Sequence, residues 1–97
     1  MSRPAGGLEG RAVLVTGGGT GIGAACATAL AADGAAVTIC GRREEVLTEA
    51  AERIAAAAAC GGSVQYVVAD VTDEESVVAA VARALEPTGR LDGCVAN

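Results

Sequence analysis

Short apolar runs alternate along the chain with longer segments in which apolar residues recur every three or four positions. The short runs are typical of strands buried in a parallel sheet, and the longer spacing indicates helices. The pattern predicts four strands, at 11–16, 36–40, 63–69 and 91–96. Three helices alternate with them: the first runs from 21 to Gly34, the second covers 44–59, and the third begins at a Thr72–Glu75 capping box and ends at Pro87.

Each predicted helix has an apolar face that is expected to pack on the sheet. The three faces are Ile22, Cys26, Ala29 and Leu30 in the first helix, Val46, Leu47, Ala50 and Ile54 in the second, and Val77, Val78, Val81 and Leu85 in the third. Strands joined through helices run parallel with right-handed crossovers. The order β-α-β-α-β-α-β therefore predicts an α/β fold, and its best match is the first half of a doubly wound parallel sheet with strand order 3-2-1-4.

Composition restricts the class of protein further. Ninety-seven residues allow at most one domain, and 52% of them are hydrophobic with Tyr66 as the one aromatic residue. A net charge of −5 argues against binding to nucleic acid or to an anionic membrane. Four cysteines without a C-x-x-C pair, and without histidine, favour buried thiols over a metal site. Residues 1–7 suggest a flexible leader with neither signal peptide nor membrane span, so a cytoplasmic location is expected.

The segment TGGGTGIG, residues 16–23, follows the first strand directly and opens the first helix. Unpaired N–H groups at a helix N-terminus attract anions, and glycine lets a phosphate approach the backbone closely. A Walker loop would need Lys and then Ser or Thr after Gly23, where two alanines stand. The pattern G-x-G-x-x-G would need glycine at 22 or 24, which are Ile22 and Ala24. The spacing that fits is T-G-x-x-x-G-I-G, and it predicts a pyrophosphate-binding loop.

This spacing resembles that of the short-chain dehydrogenases/reductases, which carry T-G-x-x-x-G-x-G after their first strand. Further segments fit the same family in order and spacing: LEGR at 8–11, GRR at 41–43, DV at 70–71 and LDGCVAN at 91–97. In the last of these, Asn97 matches the second asparagine of the family's L-D-x-L-V-N-N-A-G, and Ala96 replaces the first. The resemblance covers residues 8–97 and implies the N-terminal half of a Rossmann-type dinucleotide-binding domain, incomplete as it stands.

The end of the second strand is the point where dinucleotide folds meet the adenosine ribose, and an acidic residue there selects NAD. Gly41 takes that place, and the Arg42 guanidinium suits a 2′-phosphate, with Arg43 as a second candidate. These residues favour NADP over NAD, the alternative being two solvated charges at a helix start. The resemblance implies that Asp70 accepts a hydrogen bond from the adenine amino group. The alternative is that Asp70 only begins the turn before Thr72.

The resemblance also implies that the Val71 backbone contacts the adenine ring and that Asn97 lies beside the cofactor. The complete set of predicted cofactor-binding residues is Gly17, Gly19, Thr20, Gly21, Ile22, Gly23, Gly41, Arg42, Arg43, Asp70, Val71 and Asn97.

By resemblance, the function is NADP(H)-dependent oxidation of a secondary alcohol or reduction of a carbonyl. The family's catalytic serine and Y-x-x-x-K lie beyond the fourth strand, and this sequence contains no lysine, so no catalytic residue is assigned. The chain is interpreted as the cofactor half of a longer polypeptide that acts on a small molecule and forms homo-oligomers. A nucleotide-binding module without chemistry, or a truncated product, is the alternative. A methyltransferase is disfavoured because its site usually needs an acidic residue where Gly41 stands.

Overall fold

The computed structural model describes residues 7–17, 19, 21–59 and 61–96. These residues form strands and helices in strict alternation, as the hydrophobic pattern predicts. The elements are β1 (Ala12–Thr16), α1 (Gly21–Ala32), β2 (Ala36–Gly41), α2 (Glu44–Ala57), β3 (Ser63–Val68), α3 (Glu74–Leu85) and β4 (Gly93–Val95). The predicted α/β class is therefore confirmed, with element ends displaced by one to two residues at most sites.

The strands form one parallel sheet in the order β3-β2-β1-β4, which confirms the predicted order 3-2-1-4. Thr16 at the end of β1 pairs with Cys40, and Gly41 at the end of β2 pairs with Val68. The carboxyl ends of the three strands thus lie along one edge of the sheet. The loops that follow them meet there, which is where α/β sheets bind ligands.

The two faces of the sheet carry separate hydrophobic cores. On one face, α1 and α2 cover Val15, Val37 and Ile39. On the other face, α3 covers Leu14 and Cys40. Right-handed crossovers that move first one way along the sheet and then back put the helices on opposite faces in this manner.

The buried face of α1 differs from the predicted one. Ile22, which the periodicity places towards the core, is 75% exposed, whereas Gly23, Ala27 and Ala31 are buried. This helix is apolar nearly all round, so hydrophobicity does not select a face. Side-chain size selects the face instead, because glycine and alanine let α1 lie close to the sheet. Leu30 packs at the margin of this contact.

The same correction applies to α3, while the predicted face of α2 is confirmed by buried Leu47, Ala50 and Ile54. In α3 the buried residues are Ala80 and Ala84, and Val78 is 63% exposed. The predicted stripe of valines and leucine therefore lies largely outside the contact with the sheet. Alanine again gives the closest approach between helix and strands, and it leaves larger apolar side chains exposed.

The N-terminus of α3 also differs from the prediction. Asp73 is the N-cap, and its side chain accepts a hydrogen bond from the Glu75 N–H at 3.1 Å. Thr72 does not cap the helix, because its hydroxyl donates to Asp70 instead. Two residues that can both cap a helix stand side by side here, and the turn after β3 decides between them.

Asp92 clamps the start of β1 to the segment that leads into β4. Its Oδ2 accepts the Ala12 N–H at 2.8 Å, and its own N–H donates to the Ala12 carbonyl at 2.8 Å. The guanidinium groups of Arg11 and Arg90 lie 3.5 and 3.2 Å from its carboxylate. The hydrogen bond from Ala12 is the main reason that the pKa of Asp92 is lowered, and the two arginines add to the effect.

We expect Asp92→Asn to lower the stability of the intact protein and to make it less sensitive to acid. A carboxyl whose pKa is depressed by folding stabilises the fold above its unfolded pKa of about 3.9, and that contribution is lost as pH falls through the lower folded value. Urea unfolding at several pH values between neutral and acid measures how steeply the free energy of unfolding changes with pH. Glu49→Gln, on the exposed side of α2, is the matched control. If the free energy of unfolding of Asp92→Asn changed with pH as steeply as that of the unmodified protein, the stabilising role given to the Asp92 carboxylate would be contradicted.

Candidate functional site

A cleft of about 760 Å³ opens at the carboxyl ends of β1, β2 and β3. It brings together three segments that the sequence singles out separately: the glycine loop, the arginine pair and the Asp70–Val71 pair. Its lining residues are Thr16, Gly17, Gly19, Cys40, Gly41, Arg42, Arg43, Val46, Leu47, Ala69, Asp70, Val71 and Thr72. The predicted residues on the first turn of α1 are not among these lining residues.

The glycine loop leaves β1 through a backbone conformation that suits glycine. Gly17 has a φ of 65° and Gly21 a φ of 56°, both in the left-handed region that other residues rarely adopt. The Gly17 N–H donates to the Cys40 carbonyl at 2.9 Å, which ties the start of the loop to β2. The loop then reaches Gly21, the first residue of α1. No acidic side chain occupies the first turn of this helix, so nothing on it neutralises the positive end of the helix dipole.

Gly19 lies against the first turn of α2. A Cβ atom at this position would lie 2.8 Å from Val46 Cγ1 and 3.5 Å from Leu47 Cδ2. Leu47 Cδ2 would also lie 3.5 Å from a Cβ atom at Gly41. Val46 and Leu47 therefore form the wall between the glycine loop and the end of β2. The sequence predicts both residues only as core positions of α2. Their position in the first helical turn after Arg43 is the feature that could have indicated a place at the cleft.

We expect Gly19→Ala to destabilise the protein by about 1 kcal/mol, because the new methyl group overpacks against a β-branched side chain that cannot easily rotate. In a Val46→Ala background the same substitution should cost much less, since the opposing methyl group is gone. A double-mutant cycle followed by urea unfolding measures this coupling. Equal costs of Gly19→Ala in both backgrounds would show that the loop does not pack on Val46.

The two arginines follow β2 directly and are both exposed at the cleft. Arg43 occupies the N-cap position of α2 without a side-chain cap hydrogen bond. Within the described part of the chain, the ion pairs involve Arg11, Arg83 and Arg90, and neither Arg42 nor Arg43 joins them. Glu44, the nearest carboxylate in sequence, accepts a hydrogen bond from the Tyr66 hydroxyl at 3.4 Å. The arginine pair therefore supplies positive charge to the cleft that no described carboxylate neutralises by contact.

Asp70 stands beside this pair because the ladder between β2 and β3 continues one step further, with the Ala69 N–H donating to the Gly41 carbonyl at 2.7 Å. The Thr72 N–H and Oγ1–H both donate to Asp70 Oδ1, at 2.9 and 2.6 Å. Chiefly through these two hydrogen bonds, and further through the nearby charge of Arg42, the pKa of Asp70 is lowered. Asp70 is thus a charged acceptor at the cleft, and it also begins the turn ahead of α3.

The remaining predicted residues are placed as follows. Val71 is 57% exposed at the cleft. Ile22 and Gly23 lie on the first turn of α1, the former exposed and the latter buried. Thr20 and Asn97 lie outside the described residues. Cys40, which the sequence did not assign to the site, lines the cleft as a buried thiol, and its burial raises its pKa.

Tyr66 lies away from the cleft, in a second groove between α2 and β3. It packs against the core under α1 and α2 as a half-buried strand residue, in agreement with its interpretation from the sequence. Among the described residues, none of the helices has the length and apolar character needed to cross a membrane.

Comparison with known proteins identifies relatives along nearly the whole chain. The profile of the family described as short chain dehydrogenase matches residues 11–97. The chain is 41% identical over 90 residues to a 2,5-dichloro-2,5-cyclohexadiene-1,4-diol dehydrogenase of Sphingobium indicum, covering 93% of this chain and 34% of that protein. The chain thus spans about a third of the length of this curated relative.

Solved structures agree with the sequence comparison. A short-chain type dehydrogenase/reductase from Mycobacterium ulcerans superposes with a TM-score of 0.89 at 40% identity, covering 92% of this chain and 32% of that one. The C-domain of a bacterial malonyl-CoA reductase, solved with NADP, gives a TM-score of 0.82 at 35% identity, covering 90% of this chain and 14% of that one. The sheet order, the position of the glycine loop and the family profile together show that the chain belongs to the short chain dehydrogenase family.

Proposed function

We propose that this chain forms the cofactor-binding half of an NADP(H)-dependent oxidoreductase. The observation that carries the proposal is the cleft, where the glycine loop, two arginines that form no ion pair among the described residues, and a charged Asp70 meet at the carboxyl edge of the sheet. The named dehydrogenases and reductases among the relatives support an enzyme over a binding module without chemistry.

The residues of the cleft fit the parts of a dinucleotide phosphate. The N-terminus of α1, whose first turn carries no acidic side chain, suits the pyrophosphate. The arginine pair suits a 2′-phosphate, for which a guanidinium offers paired donors. Gly41 brings no carboxylate to the ribose, and the Glu44 carboxylate accepts a hydrogen bond from the Tyr66 hydroxyl. When bound, the nicotinamide ring supplies or accepts the hydride.

The proposed roles follow the order of the segments in the chain. Gly17, Gly19, Thr20, Gly21, Ile22 and Gly23 bind the pyrophosphate, Arg42 and Arg43 bind the 2′-phosphate, Asp70 and Val71 bind the adenine, and Asn97 lies beside the rest of the cofactor. The substrate class is a small carbonyl compound or secondary alcohol. The residues that protonate or orient such a substrate are proposed to lie in a further part of the polypeptide, and the whole is proposed to be a cytoplasmic homo-oligomer.

Residues 8–97 are proposed to be the first half of the domain rather than a complete one. One helix, α3, covers the second face of the sheet, and it leaves Val77, Val78 and Leu85 exposed beside it. Parallel sheets are normally covered on both faces, so this surface suits further helices of the same domain. Amide exchange on residues 1–97 expressed alone tests this: strong protection throughout a monomer would contradict it.

Titration of the intact protein with NADPH and NADH tests the cofactor preference. We expect NADPH to bind at least about tenfold more tightly, because each hydrogen bond to a charged group contributes about 1.5–3 kcal/mol. Emission of the reduced nicotinamide, or calorimetry, reports the binding. Equal affinities would overturn the preference for NADP, and no binding of either compound would overturn the proposed function.

A further inference from the structure

Thr72 holds the Asp70 carboxylate by two hydrogen bonds, and neither is a helix cap. Its N–H and its hydroxyl both donate to Asp70 Oδ1, at 2.9 and 2.6 Å. The backbone below them is closed by a further hydrogen bond, from the Asp73 N–H to the Asp70 carbonyl at 2.9 Å. Two donors on one carboxylate oxygen fix the plane of the group as well as its position.

This arrangement uses one carboxylate oxygen and leaves the other for a ligand. In the described part of the chain, Asp70 Oδ2 accepts no hydrogen bond, although Asp70 lines the cleft. A carboxylate that was free to rotate would lose side-chain entropy on binding a donor. The one held by Thr72 has already lost it, so its second oxygen is a preorganised acceptor.

We propose that Thr72 is a positioning residue that orients Asp70 towards the adenine base and so sets the preference of the cleft for adenine. The inference rests on the proposed function, because it requires a dinucleotide in the cleft. Adenine presents a 6-amino donor, whereas hypoxanthine presents a 6-oxo acceptor at the same place. A carboxylate oxygen that can only accept attracts the first group and repels the second.

The test compares NADPH with its hypoxanthine analogue, reduced nicotinamide hypoxanthine dinucleotide phosphate, on the intact protein. In the unmodified protein we expect the adenine compound to bind about tenfold more tightly, the value of one hydrogen bond to a charged acceptor. Thr72→Val keeps the shape of the side chain and removes the hydroxyl donor. It should reduce this preference to about threefold or less, because one of the two restraints on Asp70 is gone. Thr72→Ser retains the hydroxyl and should restore the preference.

Asp70→Asn gives a second and sharper arm, since the amide has one acceptor and one donor. Thr72 donates to the amide oxygen and thereby turns the amide nitrogen towards the base. This variant should bind the hypoxanthine compound more tightly than NADPH. In the double variant Asp70→Asn with Thr72→Val, the amide can rotate more freely, and the inverted preference should shrink.

The outcomes separate the two proposals. If neither compound binds, the proposed function is wrong. If both bind and Thr72→Val keeps the full preference for adenine, Thr72 does not position Asp70. An equal preference in the unmodified protein, or an Asp70→Asn variant that still favours adenine, overturns the inference as well. Thermal melting of each variant shows that it is folded when its binding is measured.

Discussion

Arg42→Asp is expected to reverse the cofactor preference of the intact protein from NADPH to NADH. The substitution removes a guanidinium from the end of β2, where the described structure gives it no carboxylate partner, and puts a carboxylate in its place. Losing a charge-assisted contact of about 1.5–3 kcal/mol and adding a repulsive charge should weaken NADPH binding by about a hundredfold. The new carboxylate can accept from the ribose hydroxyls of NADH, so binding of that cofactor should hold or improve.

The same change of charge at Arg53 provides the control, because Arg53 lies on the exposed side of α2 and is not among the residues that line the cleft. Arg53→Asp should leave the ratio of the two affinities unchanged. Arg43→Asp should give a smaller effect than Arg42→Asp. Titrations at low and high salt add a further readout, since screening should weaken NADPH binding more than NADH binding. A ratio in Arg42→Asp equal to that of the unmodified protein would remove Arg42 from the proposed site.

Gly62→Ala is expected to destabilise the protein by about 3 kcal/mol, at the upper end of what overpacking costs. A Cβ atom at Gly62 would overlap the Ala31 carbonyl oxygen at the end of α1 and lie 3.0 Å from the Ala59 carbonyl oxygen. The Ala31 carbonyl accepts the Ala59 N–H at 3.1 Å, so it cannot move away without breaking that hydrogen bond. The clash is therefore with backbone atoms that are held in place.

Gly61→Ala is the matched control in the same turn. Gly61 has a φ of 85°, but a Cβ atom there would meet nothing within 4 Å. Its replacement should cost about 1 kcal/mol, the strain of a left-handed backbone alone. Urea unfolding of both variants measures the difference. If Gly61→Ala proved the more harmful of the two, backbone conformation rather than packing would govern this turn.

The sequence predicted the cleft segments because each depends on local spacing. The glycines from Gly17 to Gly23 follow a strand and open a helix, and that arrangement can be read without knowing the rest of the fold. The same holds for the face of α2, where glutamate and arginine occupy the outer side and leave only one side apolar. In both cases the residues that determine the structure are close to one another in the sequence.

Helices α1 and α3 show where this reasoning fails. Their predicted faces include Ile22 and Val78, yet alanines such as Ala27 and Ala84 are the residues that pack on the sheet. Hydrophobic periodicity measures polarity, while the closeness of a helix to a sheet depends on side-chain size. The prediction of the N-cap of α3 was wrong because Thr72 and Asp73 are equally suitable as N-cap residues in the sequence.

The sequence by itself determined the order of the elements and the loops that follow the strands, because hydrophobic spacing and glycine positions are local features. The order of the strands came from the match to a doubly wound sheet, since right-handed crossovers alone also permit other orders. Only the tertiary structure decided which partners meet across the chain. It placed Val46 against Gly19, the Ala31 carbonyl against Gly62, and Asp70 beside Arg42. It also showed that the Thr72 hydroxyl donates to Asp70 and does not cap the helix. These contacts depend on how closely the elements approach one another, and that distance is fixed by the packing of the whole fold.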